Sequence, residues 1–184
     1  MSKIKISNNA FPYPMPMVIV GTKNGNIENY MAAAWVSRVN FTPPLIGVAI
    51  GKSHLTCRLI HENKEFSISV PGTEIIKETD YCGLVSGEKT DKSKIFEAFY
   101  GELKNAPMIK NCAVTMECKL TNIMELPTNH FFVGEIINAY AEDAFMTNGK
   151  PDINKINPFT LSMPDNRYFS VGKFAGNAWK IGIN

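Results

Sequence analysis

Short runs of β-branched, aromatic and other apolar residues recur along most of the chain, and turn-forming residues separate them. The runs cover residues 17–22, 30–39, 45–50, 65–70, 114–120, 130–137 and 168–171. Turn residues such as Lys23-Asn24-Gly25-Asn26 and Pro43-Pro44 lie between neighbouring runs. Runs of this length bounded by Gly, Pro and Asn are typical of β-strands. The pattern therefore predicts a β-rich frame.

Two segments instead show helical spacing of apolar residues. Leu55, Leu59 and Ile60 follow Ser53, so we expect a helix that Ser53 caps. Residues 73–106 are richer in charge and are expected to form an insertion of helices and loops. The helical pattern within this insertion consists of Ile95, Phe96, Phe99 and Leu103.

The strands are short and mostly hairpin-connected, which favours an antiparallel barrel over a doubly wound sheet. The 184 residues suffice to bury a core without disulfides or a structural metal. No repeat, low-complexity tract or linker divides the chain, so residues 1–184 are expected to form a single domain. Another Greek-key β domain with two helices is the alternative.

Composition narrows the possible partners. The chain is 45% hydrophobic and 20% charged, as in soluble globular proteins. Its 19 basic and 17 acidic residues leave a net charge of +2 without a dense basic run, so no nucleic-acid partner is expected. Residues 1–9 lack the apolar core of a signal peptide, and no segment is apolar over the roughly 20 residues that a membrane span needs. We therefore expect a cytoplasmic protein without a membrane partner.

The cysteines point to neither a metal centre nor a dithiol motif. Cys57, Cys82, Cys112 and Cys118 form no C-x-x-C pair, and the chain has only three histidines. We expect buried or half-buried free thiols in a reducing compartment.

Small side chains mark a first candidate site in residues 29–37, with the sequence Asn-Tyr-Met-Ala-Ala-Ala-Trp-Val-Ser. Such a strand would let a flat ligand lie close to the backbone. Tight core packing would explain the same residues without a ligand.

A second candidate is the turn Gly51-Lys52-Ser53-His54-Leu55-Thr56, in which a strand leads into the start of a helix. Free backbone N–H groups, two hydroxyls, a lysine and a histidine would suit an anion such as a phosphate. Ordinary capping by Ser53 is the alternative, because the glycine spacing of a P-loop is absent.

Two further segments combine polar and reactive side chains. Residues 80–92 place Cys82 near Lys89 and Lys92, which could form a ligand-side loop, a nucleophilic thiolate or simply a solvated loop. His130 stands at the mouth of a strand after Pro127-Thr128-Asn129, where a lone histidine is more often structural than catalytic.

In their order along the chain these segments resemble the flavin reductase-like family, and in particular its flavoredoxin branch. The resemblance covers nearly the whole chain and rests on the ordered set rather than on one motif. Further matching landmarks are the early Pro-rich strand, Phe66 to Pro71, Gly134-Glu135, and the tail from Arg167 to Trp179.

The resemblance implies a six-stranded antiparallel Greek-key split β-barrel, usually a homodimer, with one FMN per subunit in a groove near the subunit interface. It implies that Ala33, Ala34, Trp35, Val36 and Ser37 line the isoalloxazine ring or the ribityl chain. Ser53, His54 and Thr56 would hold the phosphate, beside Leu55, and Cys82, Gly83, Ser86, Lys92 and His130 would lie near the ring or the nicotinamide approach. Many relatives have Thr at the position of Ala32, so a hydroxyl contact is missing here.

The function that the resemblance implies is an FMN-dependent oxidoreductase. Electrons would pass from NADH or NADPH, as a transient co-substrate, or from a redox protein through non-covalently bound FMN to an acceptor. This chemistry needs no catalytic acid or base from the protein, since the cofactor supplies it. The alternatives are a non-catalytic FMN-binding, storage or electron-carrier module and a β-barrel interaction protein without a cofactor.

Overall fold

The structure of the chain is a computed structural model and describes residues 1–183. Its strands are β1 Met15–Pro16, β2 Val18–Asn24, β3 Ile27–Ala33, β4 Val36–Asn40, β5 Leu45–Gly51, β6 Glu65–Val70, β7 Ala98–Phe99, β8 Met108–Ile109, β9 Val114–Glu125, β10 Asn129–Ala141, β11 Met146–Thr147, β12 Lys150–Pro151, β13 Phe159–Ser162 and β14 Arg167–Ser170. The helices are α1 Leu55–Asn63, α2 Ile76–Leu84 and α3 Ile153–Ile156, and 3₁₀ turns cover Thr73–Ile75 and Asp143–Phe145.

Seven strands form the main sheet, in the order β3-β2-β6-β9-β10-β5-β4. All neighbouring pairs in it are antiparallel. Ala33 on one edge strand and Val36 on the other pack against the same buried cluster, so the sheet curls into a barrel around it. The expected antiparallel barrel is confirmed, and its expected count of six strands is approximate. A separate three-stranded sheet has the order β1-β13-β14.

The period of two along β2 explains why the molecule has two cores. Val18 and Val20 belong to the cluster inside the barrel, where Cys57 and Ile60 of α1 join them. Ile19 points to the other face and packs in a second cluster with Cys82 of α2. One strand thereby connects both helices, and the position of α2 against the outside of the barrel follows from this second cluster.

Most predicted strands are confirmed, but the run at residues 30–39 is interrupted. It belongs to β3 and β4, which are separated at Ala34 and Trp35. The Trp35 carbonyl accepts a hydrogen bond from the Ala49 N–H at 2.9 Å, although Trp35 lies outside the strands. Residues 30–39 therefore contribute to both edge strands of the main sheet, β3 and β4.

Two predictions about helices are wrong. The helix starts at Leu55 with His54 as its N-cap, and no side chain makes a capping hydrogen bond, so Ser53 does not cap it. The pattern at residues 95–103 is not a helix, because its aromatic residues are buried at different places. Phe96 packs in the second cluster, whereas Phe99 lies in β7 and contacts Tyr140 edge to face with ring centroids 5.7 Å apart.

The four cysteines are free and buried, as expected. None of the helices within residues 1–183 has the length and apolar character needed to cross a membrane.

Candidate functional site

A narrow cleft lies where β3, the start of α1 and the loop after α2 meet. Its volume is about 40 Å³. Seven of the residues predicted for a cofactor line it, namely His54, Leu55, Thr56, Cys82, Gly83, Ser86 and Lys92. The fold thus brings the second and third candidate segments together, although they are far apart in the sequence.

The start of α1 gives the cleft a positive end. The first N–H groups of a helix have no partner within the helix, and the aligned peptide dipoles add partial positive charge there. No side chain caps α1 at His54. An anion entering the cleft would therefore meet backbone donors that the N-cap side chain leaves free.

Lys92 places a full positive charge on the other side of the cleft. The residue is 4% exposed, and its Nζ donates to the carbonyl oxygens of Tyr30 and Cys82, each at 2.9 Å. No carboxylate within the described residues 1–183 forms an ion pair with this ammonium. Burial lowers the pKa of Lys92, while its proximity to Cys82 raises it. Because an ammonium has three donors, one remains for a ligand.

Asn29 ties the two walls of the cleft together. It lies on β3, is buried, and donates from Nδ2 to the Thr56 Oγ1 of α1 at 2.8 Å. A Cβ at Gly87 would lie 2.2 Å from the Asn29 Oδ1 and 2.8 Å from the Leu55 Cδ2. Glycine is required at position 87 because the loop approaches both walls this closely.

Cys82 is unsuited to nucleophilic catalysis. Burial raises the pKa of its thiol to about 11, and the nearby Lys92 lowers it only in part. The hypothesis of a thiolate activated by Lys89 or Lys92 is therefore wrong, because loss of hydration outweighs the attraction of the ammonium. Cys82 shapes the cleft as a small apolar side chain.

A family model described as "Flavin reductase like domain" matches residues 10–163. The chain belongs to the flavin reductase-like family. Its general function is therefore flavin-based redox activity, as the resemblance predicted.

Two solved members of this family are flavoredoxins. The flavoredoxin from Methanosarcina acetivorans is 55% identical, with a TM-score of 0.97 over 99% of this chain and 98% of that chain. The flavoredoxin of Desulfovibrio vulgaris (Miyazaki F) is 34% identical, with a TM-score of 0.89 over 97% and 100%.

A more distant structure bears on the fold alone. It is a flavin reductase with a split barrel domain from Shewanella frigidimarina, which is 20% identical with a TM-score of 0.81 over 91% of this chain and 87% of that chain. The split β-barrel predicted for the present chain is thus confirmed.

The cleft of this flavin reductase-like chain fits the anionic end of a flavin nucleotide. The cleft brings together an uncapped helix start and a buried ammonium that no carboxylate of residues 1–183 pairs with. Gly87 lets the loop lie directly against Asn29 and Leu55, which a Cβ at this position would overlap. The resemblance puts Ser86 and Lys92 near the ring, but they share this cleft with His54 and Thr56, so all four would be within reach of the phosphate end.

The remaining predicted residues lie outside the cleft. Ala34, Trp35 and Val36 line a separate groove of about 400 Å³ together with residues 10–12 and 14–16. Ala33 is buried in the barrel core, Ser37 donates to the Arg38 carbonyl at the surface, and Ser53 is exposed. The His130 ring is half-buried against Cys57. For all predicted residues, contact with a cofactor stays a prediction.

Asn29 and Gly87 lie within the candidate segments 29–37 and 80–92, but sequence reasoning gave neither of them an individual role at the site. Their roles depend on contacts between β3, α1 and the loop, which no local motif encodes. A polar Asn in an apolar strand was one available signal, because Asn is depleted in strands.

Proposed function

We propose that the chain is an FMN-dependent oxidoreductase, which binds FMN non-covalently and passes electrons from NADH, NADPH or a redox protein to an acceptor. The observation that carries this proposal is the buried Lys92 ammonium, which faces a narrow cleft without a carboxylate partner. Membership in the flavin reductase-like family supports a flavin nucleotide as the anion.

The charge balance of the cleft favours a phosphate. Burying an ammonium without a counter-ion costs free energy, and two carbonyl oxygens offset only part of that cost. A phosphate would add a charge-assisted hydrogen bond, worth about 1.5–3 kcal/mol. The start of α1 and the hydroxyl of Ser86 would supply further donors at the same place.

The residues of this chain bind and orient the cofactor, which when bound supplies the electron-transfer chemistry. Lys92, His54 and Thr56 hold its phosphate end. Trp35 and Val36, with Ala33, Ala34 and Ser37 beside them, would line the ring or the ribityl chain. The sequence contains no Gly-x-Gly-x-x-Gly fingerprint, so we expect a nicotinamide nucleotide to bind only transiently.

The test of this function is an absorption and binding experiment with purified protein and FMN. We expect a bound-flavin spectrum and its bleaching by NADH or NADPH under anaerobic conditions. Lys92→Met should weaken FMN binding by about 10- to 100-fold, the equivalent of one charge-assisted hydrogen bond. The exposed Lys89 of the same loop is the control, because Lys89→Met removes the same charge without touching the cleft's buried ammonium. Wild-type protein that binds no FMN would refute the proposal.

An electron carrier without nicotinamide turnover is the second candidate. Similarity to two flavoredoxins favours it. Bound flavin that stays oxidised with both NADH and NADPH, but is reduced by dithionite, would support a protein-fed carrier or an FMN-storage module over a flavin reductase.

We also propose a homodimer. Trp35, Phe169 and Phe174 are large apolar side chains that the single chain leaves exposed. Trp35 borders the groove beside residues 10–16, and Phe169 borders a second groove that shares Pro14 with the first. A second copy would cover this continuous apolar surface, as exposed patches of this kind mark interfaces. Light scattering coupled to size-exclusion chromatography should give twice the mass of one chain, and a monomer would contradict the proposal.

The four free cysteines also support the proposed cytoplasmic location, because a reducing compartment keeps thiols unpaired.

A further inference from the structure

A groove of about 270 Å³ adjoins the cleft. The two cavities share Asn29, Leu55, Gly87 and Lys92. The Gly87 backbone lies so close to the other two walls that a Cβ would come within 2.2 Å of the Asn29 Oδ1 and 2.8 Å of the Leu55 Cδ2. Contacts this short leave no room for a ligand atom between the loop and these side chains. Asn29, Leu55 and Gly87 therefore form an end wall that separates the cleft from the groove.

The space in front of the end wall suits one phosphoryl group. Its volume of about 40 Å³ corresponds to about three water molecules, and a phosphate monoester ends in three free oxygens. Lys92 has one N–H left after its two carbonyl bonds. The Ser86 hydroxyl oxygen accepts from the Glu88 N–H at 3.3 Å, which leaves its own proton free to donate. These donors and the start of α1 can bind the free oxygens of a terminal phosphate.

The groove behind the end wall carries negative charge. Its charged residues, apart from the shared Lys92, are Glu28, Glu88, Lys89 and Asp91. Glu88 is paired with Arg58 at 2.9 Å. Glu28 and Asp91 form no ion pair within residues 1–183. Two carboxylates without a cationic partner would repel a second phosphate that entered this groove. We therefore name it the acidic groove.

We propose that the cleft selects the terminal phosphate of a monoester, so that the chain binds FMN and excludes FAD. In FAD a second phosphate and a nucleoside continue beyond the first phosphate, and the end wall blocks that path. Asn29, Leu55 and Gly87 determine the specificity by shape, and Glu28 and Asp91 add to it by charge. The choice of a flavin rests on the proposed function, whereas the preference for a monoester follows from the cleft and the acidic groove.

The shape of the end wall is tested by calorimetric titration of wild type and Leu55→Ala with FMN and FAD. In the wild type the Kd for FAD should be at least about 100-fold above that for FMN, the equivalent of two charge-assisted hydrogen bonds. Leu55→Ala opens the end wall and should lower this ratio about tenfold. Leu59→Ala is the matched control, because Leu59 is buried in the same helix but does not line the cleft. Its ratio should equal that of the wild type.

The charge of the acidic groove is tested with the double variant Glu28→Gln, Asp91→Asn, which keeps the side-chain shapes. The Kd for FAD should fall about fivefold relative to that for FMN at low salt, and this gain should disappear at high salt. The control double variant Glu125→Gln, Asp143→Asn removes two exposed carboxylates outside the groove and should leave the ratio unchanged.

Equal Kd values for FMN and FAD in the wild type would overturn the inference, as would ratios that neither Leu55→Ala nor the acidic-groove variant changes. A wild type that binds neither flavin would instead refute the proposed function. The monoester preference is then decided without flavin, at about pH 5, where methyl phosphate and dimethyl phosphate each carry about one negative charge. Methyl phosphate should raise the Tm and dimethyl phosphate should not. Equal effects of the two esters, or a rise that Lys92→Met retains, would overturn the inference.

Discussion

Replacing the buried Glu117 by Gln should destabilise the protein strongly. The Glu117 carboxylate on β9 is fully buried and accepts four hydrogen bonds. One oxygen accepts from the Glu102 N–H at 3.1 Å, the Asn138 Nδ2 at 2.7 Å and the Tyr140 hydroxyl at 3.0 Å. The other oxygen accepts from the Leu103 N–H at 2.7 Å. The side chain thereby fixes the loop after β7 to the sheet.

The magnitude follows from these four bonds. In Glu117→Gln the amide oxygen can still accept from three donors. Each of these three bonds loses the charge of the carboxylate, at a cost of about 1 kcal/mol per bond. The amide nitrogen would face the Leu103 N–H, which leaves two donors opposed and costs about 1–3 kcal/mol. Since Leu103 is only half-buried, water recovers part of this. These losses sum to about 4–6 kcal/mol, and a neutral amide costs less to bury than a carboxylate, which offsets part of the sum. We expect a net loss of about 3 kcal/mol, which corresponds to about 6–12 °C in Tm for a domain of this size.

The loss of stability in Glu117→Gln should depend on pH in a definite direction. Burial raises the pKa of Glu117, but the hydrogen bonds from Leu103, Asn138, Glu102 and Tyr140 together lower it below its ordinary 4.5. The stabilisation is therefore present above pH 4.5 and is lost as the pH falls through the folded-state pKa. The stability gap between wild type and Glu117→Gln should shrink in the same range.

Urea unfolding from neutral to acidic pH is the assay. Glu125→Gln is the control, because Glu125 is exposed on the same strand. Equal midpoints for wild type and Glu117→Gln at neutral pH, or an equal loss in Glu125→Gln, would refute the reasoning about buried hydrogen bonds.

Two further predictions concern the cleft. Gly87→Ala should weaken FMN binding at least tenfold in a fluorescence titration, since its Cβ would displace Asn29 and Leu55, whereas Gly172→Ala points into open space and should bind normally. Thr56→Val should cost about 1–2 kcal/mol in urea unfolding, because the buried Asn29 amide loses its acceptor, and an unchanged midpoint would contradict this.

The sequence allowed the barrel to be predicted because each strand carries its own local pattern. Glu65–Val70 is an example, since its apolar run and the following Pro71-Gly72 define the strand without reference to its neighbours. The pattern at residues 95–103 led to a wrong prediction of a helix. Helical spacing also arises when Phe96 and Phe99 pack at separate places. Periodicity reports where apolar residues occur, and tertiary packing decides what they contact.

The candidate site was predictable to the extent that it is local. The turn into α1 and the loop with Cys82 and Lys92 each carry groups that suggest a ligand. The partners of Lys92 could not be inferred, because its ammonium reaches the carbonyl of Tyr30, 62 residues earlier. Contacts at this separation depend on how the strands are ordered in the sheet, and a single sequence does not give that order.

The two carbonyl bonds of Lys92 have a consequence for the energetics of α2. One bond goes to Tyr30 on β3 and the other to Cys82 near the end of α2, so the ammonium fastens the helix to the barrel. An anion bound to this ammonium would stabilise the conformation in which α2 is docked and the ammonium is buried. It would stabilise conformations with α2 undocked less. Flavin binding at Lys92, as proposed, would thus be thermodynamically linked to docking of α2, and each would strengthen the other. Loss of the flavin would therefore weaken the docking of α2.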